Sequence, residues 1–345
     1  MTEELAATRL IQPLSRRRFL QIIAATTAVS GAYLVGKRPS FGRQFTAFNE
    51  TRVLMGTVVN LAVIGDDVTA AHQTIAATLA EMERLIALFD HRQPHSPLAR
   101  LNQTGQLADP PAELTAIIQQ AQQYGDLTGG AFDISVKPLL DAHRAGLPID
   151  DYLTLVDYRQ IETSTAQIRL GQPGMALTLD GIAKGRVVDG ATAVLQARGF
   201  QNILVEAGGD LMGLGMRPDG APWRVGLAHP RATTDGALLR VLPLAAQAAA
   251  TSGDYQHSFS QDFRQHHIVN PRPGYSPSEL ASVTVLAPSA ADADALSTAV
   301  IVLGGEAGLA LAARLPHVEA LVVTKALEVR QTAGFPADNG SLEHR

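Results

Sequence analysis

The chain has 345 residues, of which 46% are hydrophobic, 18% charged and 5% aromatic. This composition can bury a large core, which excludes disordered, collagen-like and coiled-coil chains. The chain has no cysteine, so disulfides, thiolate catalysis, zinc–thiolate sites and iron–sulfur ligation are excluded as well. A net charge of −5 argues against a nucleic-acid binder, which usually carries a basic excess, and we expect no nucleic-acid partner.

The first residues of the chain carry an excess of positive charge. Residues 1–46 carry seven basic and two acidic residues, whereas the remainder carries 21 basic and 31 acidic residues. Three arginines, Arg16 to Arg18, precede the apolar run from Phe19 to Val35, a pattern that resembles a twin-arginine export signal. This run is shorter than the ~20 residues of a spanning helix. We predict that residues 1–46 are an export signal, either cleaved or kept as a membrane anchor; the alternative is an ordinary N-terminal helix.

The rest of the chain alternates between runs typical of strands and runs with helical spacing. The clearest helix is Val68–Phe89, where Ile75, Met82 and Phe89 share one face. In chain order, strands are predicted at Thr51–Ile64 (or a hairpin), Met175–Leu179, Asn202–Glu206, Trp223–Ala228, Leu238–Leu244, Ser282–Ala287 and Val318–Val323, and further helices at Pro111–Tyr124, Pro138–His143, Val187–Arg198, Ala290–Leu303 and Glu306–Arg314. This irregular order favours an α+β fold over a doubly wound sheet. We place the folded domain at residues 47–335 and expect a disordered tail at 336–345.

One candidate metal motif, Asp292-Ala-Asp294-Ala-Leu-Ser297-Thr298, opens the predicted helix at Ala290–Leu303. Asp294 and Thr298 are four residues apart, so their carboxylate and hydroxyl share a helix face, whereas Asp292 points elsewhere. Oxygen ligands of this kind suit Mg²⁺, which takes a few protein oxygens together with substrate phosphates. The alternative is helix capping by Asp292 or Asp294, which is the simpler interpretation of this motif alone.

A glycine-bearing motif, Asp180-Gly-Ile-Ala-Lys-Gly185, joins a predicted strand to a predicted helix. Its glycines allow close backbone approach, and the start of a helix favours an anion. It lacks the Gly-Lys-Ser/Thr of a P-loop, which argues against a nucleoside triphosphatase. The alternative is an ordinary turn in which Asp180 caps the helix.

The segment from Glu206 to Gly215 is also rich in glycine. It fails as a dinucleotide fingerprint because the glycine spacing is wrong and strand character follows. We interpret it as a tight turn and assign no catalytic residue to it.

Two polar stretches, Thr251 to Tyr255 and His266 to Pro271, flank a segment that we expect to be irregular, where binding residues tend to collect. A histidine pair can bind metal or act as an acid and base, but two neighbours on a strand face opposite ways. For His267 a structural hydrogen bond and a catalytic role both remain open. Ser252 lacks the context of a nucleophile elbow, which argues against a serine hydrolase.

Each motif is weak, but their order along residues 50–325 is specific. Together they resemble the ApbE family of FAD:protein FMN transferases. The resemblance rests on Met55-Gly-Thr57, Ser96-Pro-Leu-Ala-Arg-Leu-Asn102, Gly129-Gly-Ala-Phe-Asp133, Asp180-Gly-Ile-Ala-Lys-Gly185, Gly208-Gly-Asp210, Thr251-Ser-Gly-Asp-Tyr255, His267-Ile-Val-Asn-Pro271 and Asp294-Ala-Leu-Ser-Thr298.

The resemblance implies an α+β fold with mixed sheets and packed helices around a cleft for FAD and Mg²⁺. It implies transfer of FMN from FAD onto a Ser or Thr hydroxyl of a target protein, with release of AMP. The residues that would line the FAD site are Met55, Ala131, Phe132, Asp133, Asp180, Arg186 and Ile268. The metal would take the Ala183 carbonyl, Asp294 and Thr298, with Ser297 beside them, and His267 and Asp294 are the catalytic candidates.

The leader adds an expectation about location. It is similar to that of accessory family members associated with nitrous-oxide respiration, which implies a periplasmic protein acting on a membrane respiratory flavoprotein. The cysteine that lipidates many relatives is missing. Self-modification is disfavoured, because Ala193 occupies the acceptor position of the motif that Asp189-Gly190 begins.

The chain departs from the family pattern at two further places. Asn270 and Pro273 stand where the family usually has Asp and Thr. The aromatic residue expected before the Ser96 segment is replaced by Arg92, unless Phe89 takes its place.

Two rival functions stand beside FMN transfer. One is a Mg²⁺-dependent FAD pyrophosphatase, in which water replaces the target hydroxyl, and the other is a non-catalytic flavin-binding assembly factor.

Overall fold

The computed structural model describes residues 45–232 and 237–338, which form eight α-helices and 13 strands. The helices are α1 (Val68–Phe89), α2 (Pro97–Thr104), α3 (Ala112–Leu127), α4 (Lys137–Ala145), α5 (Asp150–Leu153), α6 (Ala183–Ala197), α7 (Ala290–Leu303) and α8 (Gly305–Ala312). The strands are β1 (Thr46–Leu54), β2 (Thr57–Gly65), β3 (Gln106–Ala108), β4 (Ile161–Thr163), β5 (Gln167–Leu170), β6 (Ile203–Ala207), β7 (Asp210–Leu214), β8 (Trp223–Ala228), β9 (Leu238–Leu244), β10 (Gln247–Gly253), β11 (Leu280–Ala287), β12 (Glu319–Thr324) and β13 (Val329–Gln331).

The strands form one large sheet and two small ones. The large sheet has eight strands in the order β1-β2-β6-β7-β10-β11-β12-β13, and its neighbours are antiparallel. The order β3-β5-β4 forms a three-stranded sheet, and β8 pairs with β9. Helices cover the sheet without alternating regularly with its strands, which confirms the α+β prediction.

Local sequence explains where several elements begin and end. The side chain of Asp67 accepts a hydrogen bond from Ala70 N at 2.9 Å and caps α1. Met55 and Gly56 both have positive φ, 53° and 70°, as the tight turn between β1 and β2 requires. Gly105, with φ of 73°, ends α2 in the left-handed conformation.

The core lies on both faces of the large sheet, because alternate residues of each strand point to opposite sides. Val205 of β6 joins a cluster with residues of α1, α6 and α7, whereas its neighbour Leu204 packs on the other face with Trp223 of β8 and Leu242 of β9. Helix α7 is buried on nearly all sides between β10, β11 and α6. Its first turns therefore meet the ends of the central strands.

The predicted strand at Met175–Leu179 is wrong. Its apolar residues are buried, but the backbone finds no strand partner. Instead the side chain of Asn102 accepts from Leu177 N at 2.7 Å and donates to Leu177 O at 2.8 Å, and Thr178 N donates to Ile134 O. Hydrogen bonds to a side chain and to a loop carbonyl thus satisfy backbone polar groups of a segment whose hydrophobic pattern is typical of a strand.

The predicted tail begins with ordered contacts. Arg240 donates to the carbonyl of Pro336 at 3.1 Å, and Asp338 accepts from Val241 N at 3.1 Å. The rest of that tail, and the predicted export signal up to residue 44, lie outside the described residues. Within the parts of the chain that the structure describes, no helix has the length and apolar character needed to cross a membrane.

Candidate functional site

A cleft opens where the first turns of α6 and α7 meet the end of β10. The segment 254–279, which follows β10, closes its other side. Most of the motifs singled out in the sequence contribute to its lining. Six of the lining residues carry the argument below: Phe132, Asp180, Lys184, His267, Asp294 and Thr298.

The side chains of Asp294 and Thr298 both line the cleft, which confirms that they share one face of α7. Asp294 is buried and accepts a hydrogen bond from Gly185 N at 3.1 Å through Oδ2. The hydroxyl of Thr298 lies 3.4 Å from that of Ser252. Ser297 turns away into the core, where its hydroxyl lies 2.8 Å from Ser252 Oγ and donates to the Asp294 carbonyl.

The capping alternative for this motif is wrong. The first turn of α7 is capped by Ser289, which accepts from Asp292 N at 3.1 Å, and by Asp189 of α6, which accepts from the amides of Ala290 and Ala291. The Asp292 carboxylate instead accepts from the hydroxyl of Tyr124 at 2.6 Å. Asp294 is therefore free of any capping role in its own helix.

A buried charge cluster lies beside Asp294. Lys184 Nζ is 2.5 Å from Asp210 Oδ2 and 3.9 Å from Asp294 Oδ1, and Glu206 is close by. Burial raises the pKa of all three carboxyls, and for Asp294 the charge of Asp210 raises it further. Burial alone would lower the pKa of Lys184, but Asp210 and Asp294 raise it, so its ammonium stays charged. Fully ionised, the cluster has three negative charges and one positive charge.

Sequence reasoning missed Lys184 and Asp210. The predicted turn is present, at Gly208 and Gly209 between β6 and β7, but Asp210 opens a strand whose first four residues are all buried. A carboxylate at the start of such a strand was the available signal, because buried charges are normally paired. Asp210 is 1% exposed, and its Oδ1 has no hydrogen-bond partner.

The residues predicted to line the FAD site divide into two groups. Ala131, Phe132, Asp133, Asp180 and Ile268 line the cleft, whereas Met55 and Arg186 do not belong to its lining. Ala183, whose carbonyl was predicted to bind the metal, is not part of the lining either. Met55 lies in the β1–β2 turn, Ala183 is the first residue of α6, and Arg186 lies near Glu81 and Asp189. The roles of these seven in flavin binding, and that of Ala183 in metal binding, stay predictions.

Asp133 has a structural task as well. Its carboxylate accepts from Ser135 N at 2.8 Å, from Ser135 Oγ at 2.6 Å and from Tyr158 N at 3.1 Å. Burial raises its pKa, although these three donors act in the opposite direction. Asp133 thus fixes the loop that presents Phe132 to the cleft.

Asp180 does not cap α6, which begins after Ile182 without a side-chain cap. Both of its oxygens accept from the guanidinium of Arg92, at 3.0 and 2.6 Å. Phe89, the alternative to Arg92, is buried in the core. Arg92 therefore contacts a residue of the cleft lining, at the position where the resemblance predicts an aromatic residue.

His267 lines the cleft with a neutral ring. Burial, together with His257 and His266, lowers its pKa to about 3. The ring of His257 lies 5.2 Å away edge-on, and His267 Nδ1 is buried without a partner. His266 is turned aside, with Nε2 3.1 Å from the Pro277 carbonyl. Among the described residues, no cluster of three or more His, Asp or Glu side chains is arranged to hold a metal.

Known proteins are similar to this chain in sequence and in fold. The chain is 29% identical to an FAD:protein FMN transferase from Treponema pallidum over 326 residues, which cover 84% of the chain and 87% of the relative. It is 32% identical to an FAD:protein FMN transferase from Vibrio cholerae over 280 residues, which cover 75% and 82%. Both alignments extend well beyond the cleft.

Two crystal structures are similar in fold to this chain. The ApbE protein from Thermotoga maritima has a TM-score of 0.77 at 27% identity, over 84% of this chain and 98% of that one. The apo form of the flavinyl transferase ApbE from Pseudomonas stutzeri has a TM-score of 0.73 at 28% identity, over 85% and 96%. The model of the ApbE family matches residues 55–322, well over half of the chain, and the protein therefore belongs to the ApbE family.

Proposed function

We propose that the protein is an FAD:protein FMN transferase, which moves FMN from FAD onto a Ser or Thr hydroxyl of a target protein and releases AMP. Relatives that cover most of its length are named for transfer of FMN to protein. The observation that carries the proposal is the cleft in which Asp294, Thr298 and Lys184 meet beside the apolar side chains of Phe132 and Ile268. Such a cleft offers oxygen ligands for a cation that binds a diphosphate, and an apolar wall for a flavin ring.

The donor set in the cleft fits Mg²⁺. The ionised cluster has an excess of two negative charges, and Asp210 Oδ1 is a buried acceptor without a donor. Magnesium usually takes one or two carboxylates and fills its other positions with water and substrate phosphate, so a cluster of three acidic side chains is not required. Asp294, Thr298 and the Ala183 carbonyl would hold it. When bound, Mg²⁺ would neutralise charge on the diphosphate oxygens.

The proposed reaction exchanges one phosphorus–oxygen bond for another. The target hydroxyl oxygen bonds to the phosphorus of the FMN half, the bridging bond to AMP breaks, and its electron pair leaves on the AMP phosphate. The hydroxyl proton needs an acceptor within reach. The two candidates are His267, which has a neutral ring and an unpartnered Nδ1, and Asp294, a carboxylate with a raised pKa. The lowered pKa of His267 makes its ring the weaker base of the two. The other residues bind and orient the reactants.

We also propose that transfer takes place outside the cytoplasm, in the periplasm, with a membrane respiratory flavoprotein as the target. The support is the basic and apolar leader between Arg16 and Val35. Expression of the full chain, followed by fractionation and N-terminal sequencing of the mature protein, tests the location. Recovery of the uncleaved chain in the cytoplasm would contradict it.

Incubation of the protein with FAD, Mg²⁺ and a candidate target tests the activity. Covalent FMN on the target supports transfer, whereas free FMN and AMP would indicate an FAD pyrophosphatase. We expect Asp294→Asn and Thr298→Val each to lower the rate more than 100-fold, about 3 kcal/mol of transition-state stabilisation. Asp292→Asn is the matched control on the same helix, since Asp292 faces Tyr124, and should stay within threefold. Intact function of Asp294→Ala in cells would favour an assembly factor.

A further inference from the structure

The ammonium of Lys184 lies between two carboxylates but is not shared equally. Its distance to Asp210 Oδ2 is 2.5 Å and to Asp294 Oδ1 is 3.9 Å. Asp210 is 1% exposed and lies outside the cleft lining, whereas Lys184 and Asp294 both belong to it. The Lys184 ammonium is therefore paired with the buried carboxylate of Asp210 and not with Asp294.

We propose that Asp210 is a positioning residue that keeps the Lys184 ammonium off Asp294, so that Asp294 remains open to a divalent cation in the cleft. The inference rests on the proposed function, because it concerns the residue that would hold the metal. Asp294 Oδ2 accepts from Gly185 N, and the Asp210 carboxyl also lies within hydrogen-bonding reach of Asp294. Oδ1 is the oxygen of Asp294 that does not accept from Gly185 N. This is also the oxygen that faces Lys184.

The other carboxylate in the cluster cannot take the place of Asp210. Glu206 accepts from Asn60 Nδ2 at 2.7 Å through one oxygen and from Gly209 N at 2.9 Å through the other. Without the charge of Asp210, Asp294 becomes the strongest remaining partner of Lys184, because Coulomb attraction increases as the distance falls. The ammonium would then pair with Asp294 Oδ1, and a divalent cation would have to displace it.

A merely structural ion pair makes a different prediction. If Lys184 and Asp210 only stabilised the fold, removal of either would damage the metal site through misfolding, and removal of both would not repair it. If Asp210 keeps Lys184 away from Asp294, Asp210→Asn is harmful only while Lys184 is present. A neutral residue at position 184 should then restore metal binding, which separates the two interpretations.

Mn²⁺ binding, measured by electron paramagnetic resonance without FAD or target, tests this with the full chain. We expect Asp210→Asn to weaken Mn²⁺ binding at least tenfold, and Lys184→Gln in that background to recover most of the loss. Lys184→Gln alone should change binding less than threefold, so that the two effects are not additive. Lys184→Met replaces Lys184→Gln if the latter does not fold, and urea unfolding checks each variant.

Three outcomes would overturn the inference. Mn²⁺ binding that is insensitive to Asp210→Asn would refute it while leaving the proposed transferase intact. If Lys184→Gln instead strengthened Mn²⁺ binding by the same factor in the unaltered protein and in Asp210→Asn, the two charges would act independently on the metal. The inference would then be refuted too. If the unaltered protein bound no Mn²⁺, both this inference and the proposed metal would fail, whereas FMN transfer to a target would still be measured separately.

Discussion

Arg92 donates hydrogen bonds to both carboxylate oxygens of Asp180, which is a residue of the cleft lining. The side chain of Arg92 is 56% exposed and that of Asp180 38%. Desolvation would raise the pKa of Asp180, but His91 and Arg92 lower it well below its usual range. Asp180 is therefore ionised at any physiological pH, and its two oxygens are already occupied by a fixed cation.

Arg92→Gln tests what this pair does. An exposed ion pair contributes little to stability, so we expect the free energy of unfolding to change by less than about 1 kcal/mol. We expect FAD affinity to fall between three- and tenfold, because the cleft edge loses both a positive charge and a flat surface on which an aromatic ring can stack. Quenching of flavin fluorescence measures the affinity.

Arg169→Gln is the matched control for Arg92→Gln. Arg169 is also exposed and also forms two hydrogen bonds to one carboxylate, that of Glu162, but on the three-stranded sheet away from the cleft lining. The Arg169→Gln substitution should leave FAD affinity unchanged. Equal FAD affinity in the two variants would mean that Arg92 has no part in binding.

Ser297 and Thr298 were both predicted as metal neighbours, but only Thr298 lines the cleft. We expect Thr298→Val to abolish most Mg²⁺-dependent transfer, while Thr298→Ser retains it within about tenfold. Ser297→Ala should weaken the metal dependence less than threefold and act instead on stability. Loss of its hydrogen bond to Ser252 should cost about 1 kcal/mol. Rates against Mg²⁺ concentration, with urea unfolding, distinguish the two positions.

Much of the fold was predictable because local pattern and tertiary packing agree. Helix α1 has one apolar face and a capping Asp67, and it begins and ends where the pattern predicts. Strand β10 was missed, since its Gln247–Gly253 sequence is mostly alanine and other small residues with weak strand preference. Small residues are nevertheless required there, because α7 packs closely against it.

Residue spacing predicts the site only where its members are neighbours in sequence, whereas Phe132, Asp180 and Ile268 were predicted from the family resemblance. Asp294 and Thr298 are one helical turn apart, so spacing alone places them together. Lys184 and Asp210 are separated by 26 residues and meet because helix α6 and the β6–β7 turn converge. No regular spacing in the sequence predicts that two such residues are in contact.

The half-buried ring of His267 should make the protein sensitive to acid. Its pKa is about 3 in the folded chain, below the ordinary 6.5, so between these values the unfolded chain binds the proton and the folded chain does not. The free energy of unfolding should therefore fall as the pH decreases from 6.5 towards 3, by up to about 1.4 kcal/mol per pH unit. His267→Gln should flatten this slope in urea unfolding.

Two other histidines limit how much of the slope disappears. Burial also lowers the pKa of His257 and His266, so the His267→Gln variant should keep part of the pH dependence. His95→Gln changes an exposed histidine and should leave the slope unaltered. A slope identical in His267→Gln and in the unaltered protein would show that the ring is protonated as easily in the fold as in the unfolded chain.

Gly185 sets the distance between α6 and α7. A Cβ at this position would overlap the carbonyl of Ala290, which is backbone and cannot turn aside, whereas a Cβ at Gly190 would meet only the end of the Leu85 side chain. We expect Gly185→Ala to cost about 3 kcal/mol of unfolding free energy and to break the hydrogen bond from Gly185 N to Asp294. Gly190→Ala, the control, should stay within about 1 kcal/mol, because the gain in helix propensity offsets the rotation of Leu85. FMN transfer should fall with the first substitution and not with the second; equal effects in both assays would mean that close approach at Gly185 does not shape the cleft.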